Sequence, residues 1–145
     1  MYKFNDNKDF YMVVGMGHTS SVVLGDSFYS KNKTICIDGD GSFLMHLGSI
    51  KTVGTFANKN LKYILLNNNS HDSVGGQNTY ASDINFKNLS KSLGFKRFYS
   101  IKTKNNLKKN INKFLSDKNL SFLKVKITYS KIKKIQRPIN IIKIK

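Results

Sequence analysis

The sequence predicts an α/β fold in which helices cover a parallel sheet. Short runs of β-branched and aromatic residues alternate along the chain with segments whose apolar residues recur every three or four positions. Polar, glycine-rich segments directly follow two of these runs, as loops do at the carboxyl ends of parallel strands. A chain of 145 residues can bury one core but not two, so we expect a single three-layer α/β/α domain over residues 1–145.

Strands are predicted where β-branched and aromatic residues are concentrated. They are residues 10–14, 34–37, 63–66, 95–101 and 122–127. Helices are predicted where apolar residues share one helical face. They begin near residues 18, 43, 86 and 107 and end near residues 28, 54, 93 and 115. Lysines alternate with apolar residues in the last predicted strand, which is typical of a sheet edge, and the C-terminal stretch receives no assignment.

The net charge of +17 is concentrated in the second half of the chain. Residues 1–72 carry seven lysines and six aspartates, whereas residues 73–145 carry 18 basic residues and two aspartates. Only two of the 25 basic residues are arginine, the side chain best suited to recognising phosphates and bases. The favoured interpretation is a solvated surface shaped by a strongly AT-biased genome, without nucleic-acid binding. A basic nucleic-acid-binding domain is the alternative.

The composition also favours a cytoplasmic protein without a membrane segment. The first residues lack the basic, apolar and small-residue series of a signal peptide, and no run of about 20 apolar residues occurs. The single cysteine, Cys36, lies within an apolar run and is expected at a buried strand position. All eight acidic residues are aspartates, and the chain contains no glutamate.

Two polar segments are the candidate site. AspGlyAspGly at 38–41 is too glycine-rich to continue a strand or a helix, and Asn67-Asn68 follows the next strand. The carboxylate, the carboxamide and free carbonyl groups of the following turn are hard oxygen ligands suited to Mg2+. The helix beginning near Ser42 would direct unpaired N–H groups towards an anion such as a diphosphate.

The spacing of these segments resembles the signature of thiamine-diphosphate (ThDP) enzymes. Twenty-five residues separate GlyAspGly at 39–41 from Asn67, and they contain one predicted helix and one predicted strand. The resemblance implies that the side chains of Asp40 and Asn68 and the carbonyl of Ser70 bind Mg2+. It also implies that Gly39 and Gly41 let the backbone approach the cofactor's diphosphate.

Three segments are more closely similar to the phosphonopyruvate decarboxylase family. They are GlyMetGlyHis at 15–18, IleCysIleAspGlyAspGly at 35–41 and HisAspSerValGlyGlyGln at 71–77, with GlnArgProIle at 136–139 as a weaker fourth. Val14 stands where that family usually has glycine, and Asn69 and Ser70 stand close to where ThDP enzymes often have one. The family arrangement implies these cofactor-binding residues: Gly15, Met16, Gly17, His18, Gly39, Asp40, Gly41, Ser42, Asn68 and Ser70.

The same resemblance gives roles to single side chains. Met16 would support the bent shape of the cofactor, and His18 would lie near the diphosphate. His71 and Asp72 would lie at the substrate mouth as catalytic residues, where a histidine can bind an anion or transfer a proton. An ordinary core position is the alternative for Met16, and a structural role is favoured for His46.

The absence of glutamate implies a partner, because ThDP enzymes activate the cofactor through a glutamate on a pyrimidine-binding domain. The resemblance therefore implies one half of a hetero-oligomer that decarboxylates a small anionic 2-keto acid, most simply phosphonopyruvate to phosphonoacetaldehyde and CO2. The β subunit of sulfopyruvate decarboxylase is the closest alternative. A truncated product or an inactive remnant that keeps the fold without a partner is another.

Overall fold

A computed structural model describes residues 8–128, and its centre is a sheet of four parallel strands. The strands are β1 (Thr34–Gly39), β2 (Leu61–Asn67), β3 (Arg97–Ile101) and β4 (Ser121–Lys126). They lie in the order β1-β2-β4-β3, and each neighbouring pair is parallel. β2 is a nearly continuous apolar run covered on both faces, as parallel strands usually are. The predicted parallel sheet is therefore confirmed.

Helices cover both faces of the sheet. They are α1 (Thr19–Tyr29), α2 (Asp40–Met45), α3 (Leu47–Phe56), α4 (Phe86–Leu93) and α5 (Leu107–Ser116). Side chains of α1 to α4 share one core cluster with one face of the sheet, and α5 packs on the other face, over β3 and β4. This three-layer arrangement confirms the predicted fold class.

The larger core cluster is mainly aromatic. The ring of Phe122 lies at its centre and stacks on Tyr63, with 5.4 Å between the ring centroids and 7° between the planes. The rings of Phe43, Phe95 and Phe98 surround it, with centroid distances of 5.8, 5.1 and 6.2 Å. Such stacked and edge-on contacts add to the stabilisation from burial and fix the orientation of each ring.

The strand predicted at 10–14 is wrong. Val14 has a φ of 62° in the left-handed region, which is incompatible with an extended strand, and its side chain is 94% exposed. The apolar residues of this segment lead into a turn instead of pairing with the sheet. The turn predicted at 15–17 is present before α1.

The helix predicted between residues 43 and 54 is two helices. His46 has φ −129° and ψ 52°, and this non-helical residue separates α2 from α3. The apolar stripe that predicted the helix is nevertheless buried, at Phe43, Ile50 and Val53. The expectation that AspGlyAspGly would interrupt both kinds of element is also wrong, because Gly39 ends β1 and Asp40 begins α2.

The prediction that the last strand lies at an edge is wrong as well. β4 pairs with β2 on one side and β3 on the other, so it is an inner strand. Its first three residues are buried, and exposure increases towards Lys126 at the carboxyl end. The alternating lysines therefore mark the uncovered end of a central strand. The Lys124 side chain packs along the sheet, and its ammonium group lies over the Phe86 ring, 4.4 Å from the ring centroid.

Two further expectations are affected by the extent of the described chain. The GlnArgProIle segment at 136–139 and nearly all of the unassigned C-terminal stretch lie outside residues 8–128.

No helix in the described part of the chain is long and apolar enough to cross a membrane. Cys36 is 2% exposed as expected, and its burial raises the pKa of the thiol far above its ordinary value.

Asp117 makes the stability of the fold pH-dependent. Its carboxylate accepts hydrogen bonds from the Tyr99 hydroxyl at 2.6 Å and from the Asn119 backbone and amide nitrogens at 2.8 and 2.9 Å. Burial alone would raise the pKa of this carboxyl, but these hydrogen bonds and the nearby charge of Lys62 hold the pKa below its ordinary value. The stabilisation is therefore present above the carboxyl's unfolded-state pKa and is lost as the pH falls through its lower folded-state pKa.

We expect Asp117→Asn to lower the free energy of unfolding at pH 7 by about 2 kcal/mol, since it weakens several bonds to a charged acceptor. The difference from wild type should begin to shrink below about pH 4, where the unfolded-state carboxyl becomes protonated, and should disappear only once the pH has fallen through the lower folded-state pKa. Urea unfolding at pH 7, 5 and 3 measures this, with the exposed Asp83→Asn as control. A difference that did not change with pH would contradict the explanation.

Candidate functional site

The candidate site lies at the carboxyl ends of two neighbouring strands. Gly39, the last residue of β1, is paired with Leu66, so Asp40 and Asn67 lie at equivalent heights where the two strands end. Because a helix begins directly after β1, Asp40 and Gly41 occupy its first turn. In open parallel sheets this edge is where ligands bind. The two segments predicted to form the site are therefore adjacent.

Asp40 is connected to the loop that follows β2. Its carboxylate is only 2% exposed and accepts a hydrogen bond from the Thr79 hydroxyl. The backbone N–H of Thr79 donates to the carbonyl oxygen of Asn69 at 3.3 Å. Thr79 thus joins the carboxylate of the first segment to the turn that follows the second.

Asn68 and Ser70 form the turn itself. The Asn68 amide oxygen accepts the N–H of Ser70 at 3.1 Å, and its amide nitrogen donates to the Asp72 carboxylate. Asn69 has a φ of 63°, a left-handed conformation that asparagine tolerates better than most residues. The turn is therefore formed without the glycine that ThDP enzymes often have here.

Residues 68–79 form a hairpin, with HisAspSerValGlyGlyGln at its tip. Ser70 pairs with Asn78 in an antiparallel bridge, and the N–H of His71 donates to the Gln77 carbonyl at 2.8 Å. The reversal uses positive φ angles of 114° at Gly75 and 77° at Gly76, which glycine adopts at little cost. The motif predicted to contact substrate is a projecting, polar loop with a fixed base.

The imidazole of His71 lies against Gly41. A Cβ atom at Gly41 would approach the His71 ring to less than 3.0 Å, so the absence of a side chain makes room for the ring. The Nδ1 atom of His71 is buried and has no hydrogen-bond partner among the described residues. A buried ring nitrogen without a partner indicates a group that is completed by a ligand or a bound water.

The turn before α1 packs on α2. The N–H of Gly17 donates to the Ser42 hydroxyl oxygen at 2.9 Å, and Gly17 has a φ of 88°. The imidazole of His46 occupies the space that a Gly17 side chain would need, and it lies on the ring of His18 with 4.3 Å between centroids. The break between α2 and α3 therefore places His46 against the predicted 15–18 segment, and the structural role favoured for it stays a prediction.

Val14 and Gly15 complete this turn. Val14 adopts the left-handed conformation at the position where the resembled phosphonopyruvate decarboxylase family usually has glycine. This conformation strains a β-branched residue, so valine is accommodated at a cost in a turn that suits glycine. Gly15 lies close to the Met12 side chain, and Met16 is half-buried beside it. The predicted roles of Gly15 and Met16 in cofactor binding stay predictions.

The twelve predicted site residues thus lie in three segments that contact one another. The segments are 15–18 before α1, 39–42 at the β1–α2 junction and 68–72 after β2. The Gly17–Ser42 bond joins the first to the second. The contact between Gly41 and His71 joins the second to the third.

The charges at this edge have both signs. The Asp38 carboxyl is 6% exposed, and burial raises its pKa although hydrogen bonds to Ser42, Tyr63 and Gly39 act in the opposite direction. Lys124 is near enough to Asp40 to interact with its charge. Burial and the neighbouring Lys102 lower the pKa of Lys124. The lysines of the carboxyl edge would favour an anionic ligand.

The donor atoms fit a magnesium ion bound to a diphosphate. In residues 8–128 no three His, Cys, Asp or Glu side chains form a metal-binding group. The ligands implied for Mg2+ are instead one carboxylate, one amide oxygen and one carbonyl, from Asp40, Asn68 and Ser70. Mg2+ favours such hard oxygen ligands and usually completes its coordination with phosphate oxygens and water. The ligand set is therefore chemically suitable.

Sequence analysis missed three residues near this edge. Thr79 and Lys124 contact or approach Asp40, and the Tyr63 hydroxyl donates to Asp38, which lies in the predicted AspGlyAspGly segment but received no role. The sequence signal for Thr79 was weak: it is a hydroxyl residue two positions after the HisAspSerValGlyGlyGln segment at 71–77. Tyr63 was assigned to a strand, where an aromatic residue is expected for packing alone.

Comparisons with known proteins agree with this geometry. A family model described as "Thiamine pyrophosphate enzyme, C-terminal TPP binding domain" matches residues 1–125. The chain is 38% identical over 101 residues to a phosphonopyruvate decarboxylase of Streptomyces viridochromogenes. The aligned region covers 69% of this chain and 25% of that protein. It is 37% identical over 94 residues to a sulfopyruvate decarboxylase subunit beta of Methanocaldococcus jannaschii, which covers 64% and 50%.

A solved structure supports the fold. The structure described as "X-ray structure of a putative thiamin diphosphate-dependent enzyme isolated from Mycobacterium smegmatis" superposes with a TM-score of 0.60 at 15% identity, over 79% of this chain and 23% of that one. The matched region corresponds to between 23% and 50% of the length of these proteins.

Proposed function

We propose, from the premise that this chain belongs to the family of thiamine pyrophosphate enzyme C-terminal TPP-binding domains, that it holds the Mg2+ and diphosphate of ThDP for a 2-keto acid decarboxylase. The reaction is the conversion of phosphonopyruvate to phosphonoacetaldehyde and CO2. The observation that carries the proposal is the Asp40–Thr79–Asn69 connection, which brings the two predicted ligand segments together.

The residues of the chain bind and orient in this proposal. Asp40, Asn68 and the Ser70 carbonyl would hold Mg2+, and the Gly39–Asp40–Gly41 backbone would lie against the diphosphate. ThDP supplies the electron sink that makes loss of CO2 from a 2-keto acid possible. Asp40 is buried and hydrogen-bonded, and oxygen ligands in fixed positions favour tight binding because little has to be reorganised when the ion arrives.

His71 and Asp72 are the residues proposed to act on the substrate. They begin the tip of the hairpin, and the His71 Nδ1 atom lacks a partner within the described chain. Asp72 accepts a hydrogen bond from Asn68, which couples the tip to a proposed metal ligand. A histidine here can hold the phosphonate or transfer a proton at neutral pH.

A second polypeptide is proposed to complete the enzyme. These 145 residues contain no glutamate, so the group that activates the cofactor would come from a pyrimidine-binding domain outside them, which we assign to a partner. Three relatives are themselves named β subunits, which supports a hetero-oligomer. Sulfopyruvate is the second candidate substrate, because the sulfopyruvate relatives are as similar to this chain as the phosphonopyruvate relatives are.

The proposal is tested by co-expressing the chain with the adjacent reading frame and measuring CO2 release from phosphonopyruvate and sulfopyruvate with ThDP and Mg2+. Turnover of phosphonopyruvate that requires both chains supports it. Preference for sulfopyruvate would replace the substrate but keep the decarboxylase. Co-purification with bound ThDP but no turnover of either acid would reject both substrates, and failure of the chains to associate would favour an inactive remnant.

Thr79 offers an independent test of how Asp40 is held. Thr79→Val keeps the shape of the side chain but removes the hydroxyl that donates to Asp40. We expect Mg2+-dependent ThDP binding to weaken by about tenfold to a hundredfold, as is usual when a residue that supports a metal ligand is lost. Titration calorimetry measures this, and Thr79→Ser should restore most of the affinity. Equal affinity for the valine and wild-type proteins would argue against a positioning role.

A further inference from the structure

Three lysines lie together where β3 and β4 end. Lys124 and Lys126 alternate along β4, so their side chains leave the same face of the sheet, and Lys102 follows the last residue of β3. Ile101 pairs with Val125, which places Lys102 beside Lys126 on the neighbouring strand. Paired strands are about 4.8 Å apart and alternate residues of one strand about 6.6 Å apart. The three side chains, called the lysine cluster below, therefore start from one small area.

The lysine cluster lies on the face of the sheet that carries the candidate site. The ammonium group of Lys124 lies over the ring of Phe86, which begins α4 on that face. The Phe86 ring packs in turn on Phe43 of α2, with 5.8 Å between the centroids, and α2 begins with Asp40. Val125, between the two lysines of β4, belongs instead to the core beneath α5. The cluster and Asp40 thus share one side of the sheet.

The end of β4 is hydrogen-bonded to the turn that contains Asn68. Lys126 is paired with Asn67 in the sheet, and the N–H of Ile127 donates to the carbonyl oxygen of Asn67 at 2.9 Å. The side-chain oxygen of Asn67 accepts the N–H of Asn69 at 2.9 Å, which opens the turn. The lysine cluster therefore begins one strand away from the turn that carries two of the proposed magnesium ligands.

The positive charges of the cluster are not balanced by the protein. None of the three ammonium groups forms an ion pair with a carboxylate of residues 8–128. Burial and the charge of Lys102 lower the pKa of Lys124, Asp40 acts in the opposite direction, and Lys126 lowers it further. Like charges held close together repel one another, so binding of an anion would stabilise this arrangement.

We propose that the lysine cluster binds a tetrahedral oxyanion, namely the phosphonate or sulfonate group of the 2-keto acid. The identity of the ligand rests on the proposed function, whereas the site rests on the strand register and on the contact with Phe86. Each ammonium group has three N–H donors on a long stem, which suits the several oxygens of such a group. The diphosphate of ThDP has the same chemistry, and the experiment separates the two.

Binding of an oxyanion is measured first on the full chain, without ThDP or Mg2+. Methylphosphonate is titrated into wild type, Lys102→Gln/Lys126→Gln and the control Lys109→Gln/Lys113→Gln, and the backbone amide signals of β4 are followed by NMR. All four lysines are exposed, and the control pair lies on α5, on the opposite face of the sheet. We expect the cluster variant to bind at least about tenfold more weakly and the control to stay within about twofold of wild type.

Kinetics of the co-expressed complex then identify the oxyanion. We expect the KM for phosphonopyruvate to rise about tenfold in the cluster variant with little change in kcat, because binding common to the ground and transition states is lost. The inhibition constant of pyruvate, which lacks the phosphonate, and the dissociation constant of ThDP should stay at their wild-type values. Weaker ThDP binding with an unchanged KM would assign the cluster to the diphosphate and overturn the inference.

The methylphosphonate titration needs neither cofactor nor partner, which separates this inference from the proposed function. Equal methylphosphonate affinity in the cluster and control variants would overturn the site. Binding through the cluster, together with a complex that turns over neither acid, would reject the proposed function and keep an oxyanion site. Normal turnover with a KM that does not respond to the cluster variant would do the reverse.

Discussion

Asp40→Asn is expected to reduce Mg2+-dependent ThDP binding and decarboxylation at least about a hundredfold, because a buried carboxylate ligand contributes several kcal/mol to holding a divalent ion. The asparagine oxygen can still accept the hydrogen bond from Thr79, so the metal-free fold should be as stable as wild type. A neutral side chain also has a smaller desolvation cost at a site that is 2% exposed. Loss of function without loss of stability is the expected signature.

The experiment measures the dissociation constant for Mg2+ and kcat/KM for the 2-keto acid on the co-expressed complex. The unfolding midpoint is measured on the chain alone. Asp83→Asn serves as the matched control, since this aspartate is exposed and lies outside the three site segments. Unchanged Mg2+ affinity in Asp40→Asn would remove Asp40 from the ligand set. A large drop in stability would instead show that the Thr79 bond needs the charge.

Gly54→Ala is expected to lower the free energy of unfolding by about 3 kcal/mol, the upper range for overpacking. A Cβ atom at Gly54 would overlap the carbonyl oxygen of Leu93 and approach the backbone of Gly94. These are backbone atoms where α3 meets the end of α4, and no side chain can rotate away. Gly94 is equally constrained, because it has a φ of 110° and lies against the Gly54 carbonyl.

The same substitution at Gly48 is the control, as this glycine belongs to the same helix and has no atom within 4 Å of the position where a Cβ would stand. Gly48→Ala should be stabilising by about 0.5 kcal/mol, because alanine has the higher helix propensity. Thermal unfolding should therefore separate the two variants by about 10 °C. If both variants lost stability equally, close contact of the two helices would not be the cause.

The position of the site could be predicted from sequence because it follows from strand ends. A polar segment after each of two neighbouring parallel strands must reach the same edge, and the 25 residues between Gly41 and Asn67 are what one helix and one strand require. The amphipathic segments at 86–93 and 107–116 were also predicted well, since their apolar stripes are local patterns.

The remaining features depend on contacts between distant residues. Thr79 meets Asp40 across 39 positions of sequence, and no periodicity indicates such a pair. The inner position of β4 depends on the order of the strands in the sheet. The alternation of lysine and apolar residues along β4 does not reveal this order, because lysine stems can pack on apolar surface in an inner strand as well as at an edge. The helix break at His46 accompanies the packing of its ring on Gly17 and His18. The apolar stripe continues on both sides of the break, so the sequence pattern predicted one continuous helix.

The hairpin at 68–79 is anchored at its base and free at its tip. The hydrogen bonds that hold it lie at the base, where Thr79 binds Asp40 and Ser70 pairs with Asn78, whereas Ser73 and Val74 at the tip are exposed. Under the proposed function, replacements at the tip would change the side chains that contact an anionic substrate while the base stays attached. A few substitutions in this loop would then be enough to change the preferred substrate without altering the residues proposed to hold the cofactor.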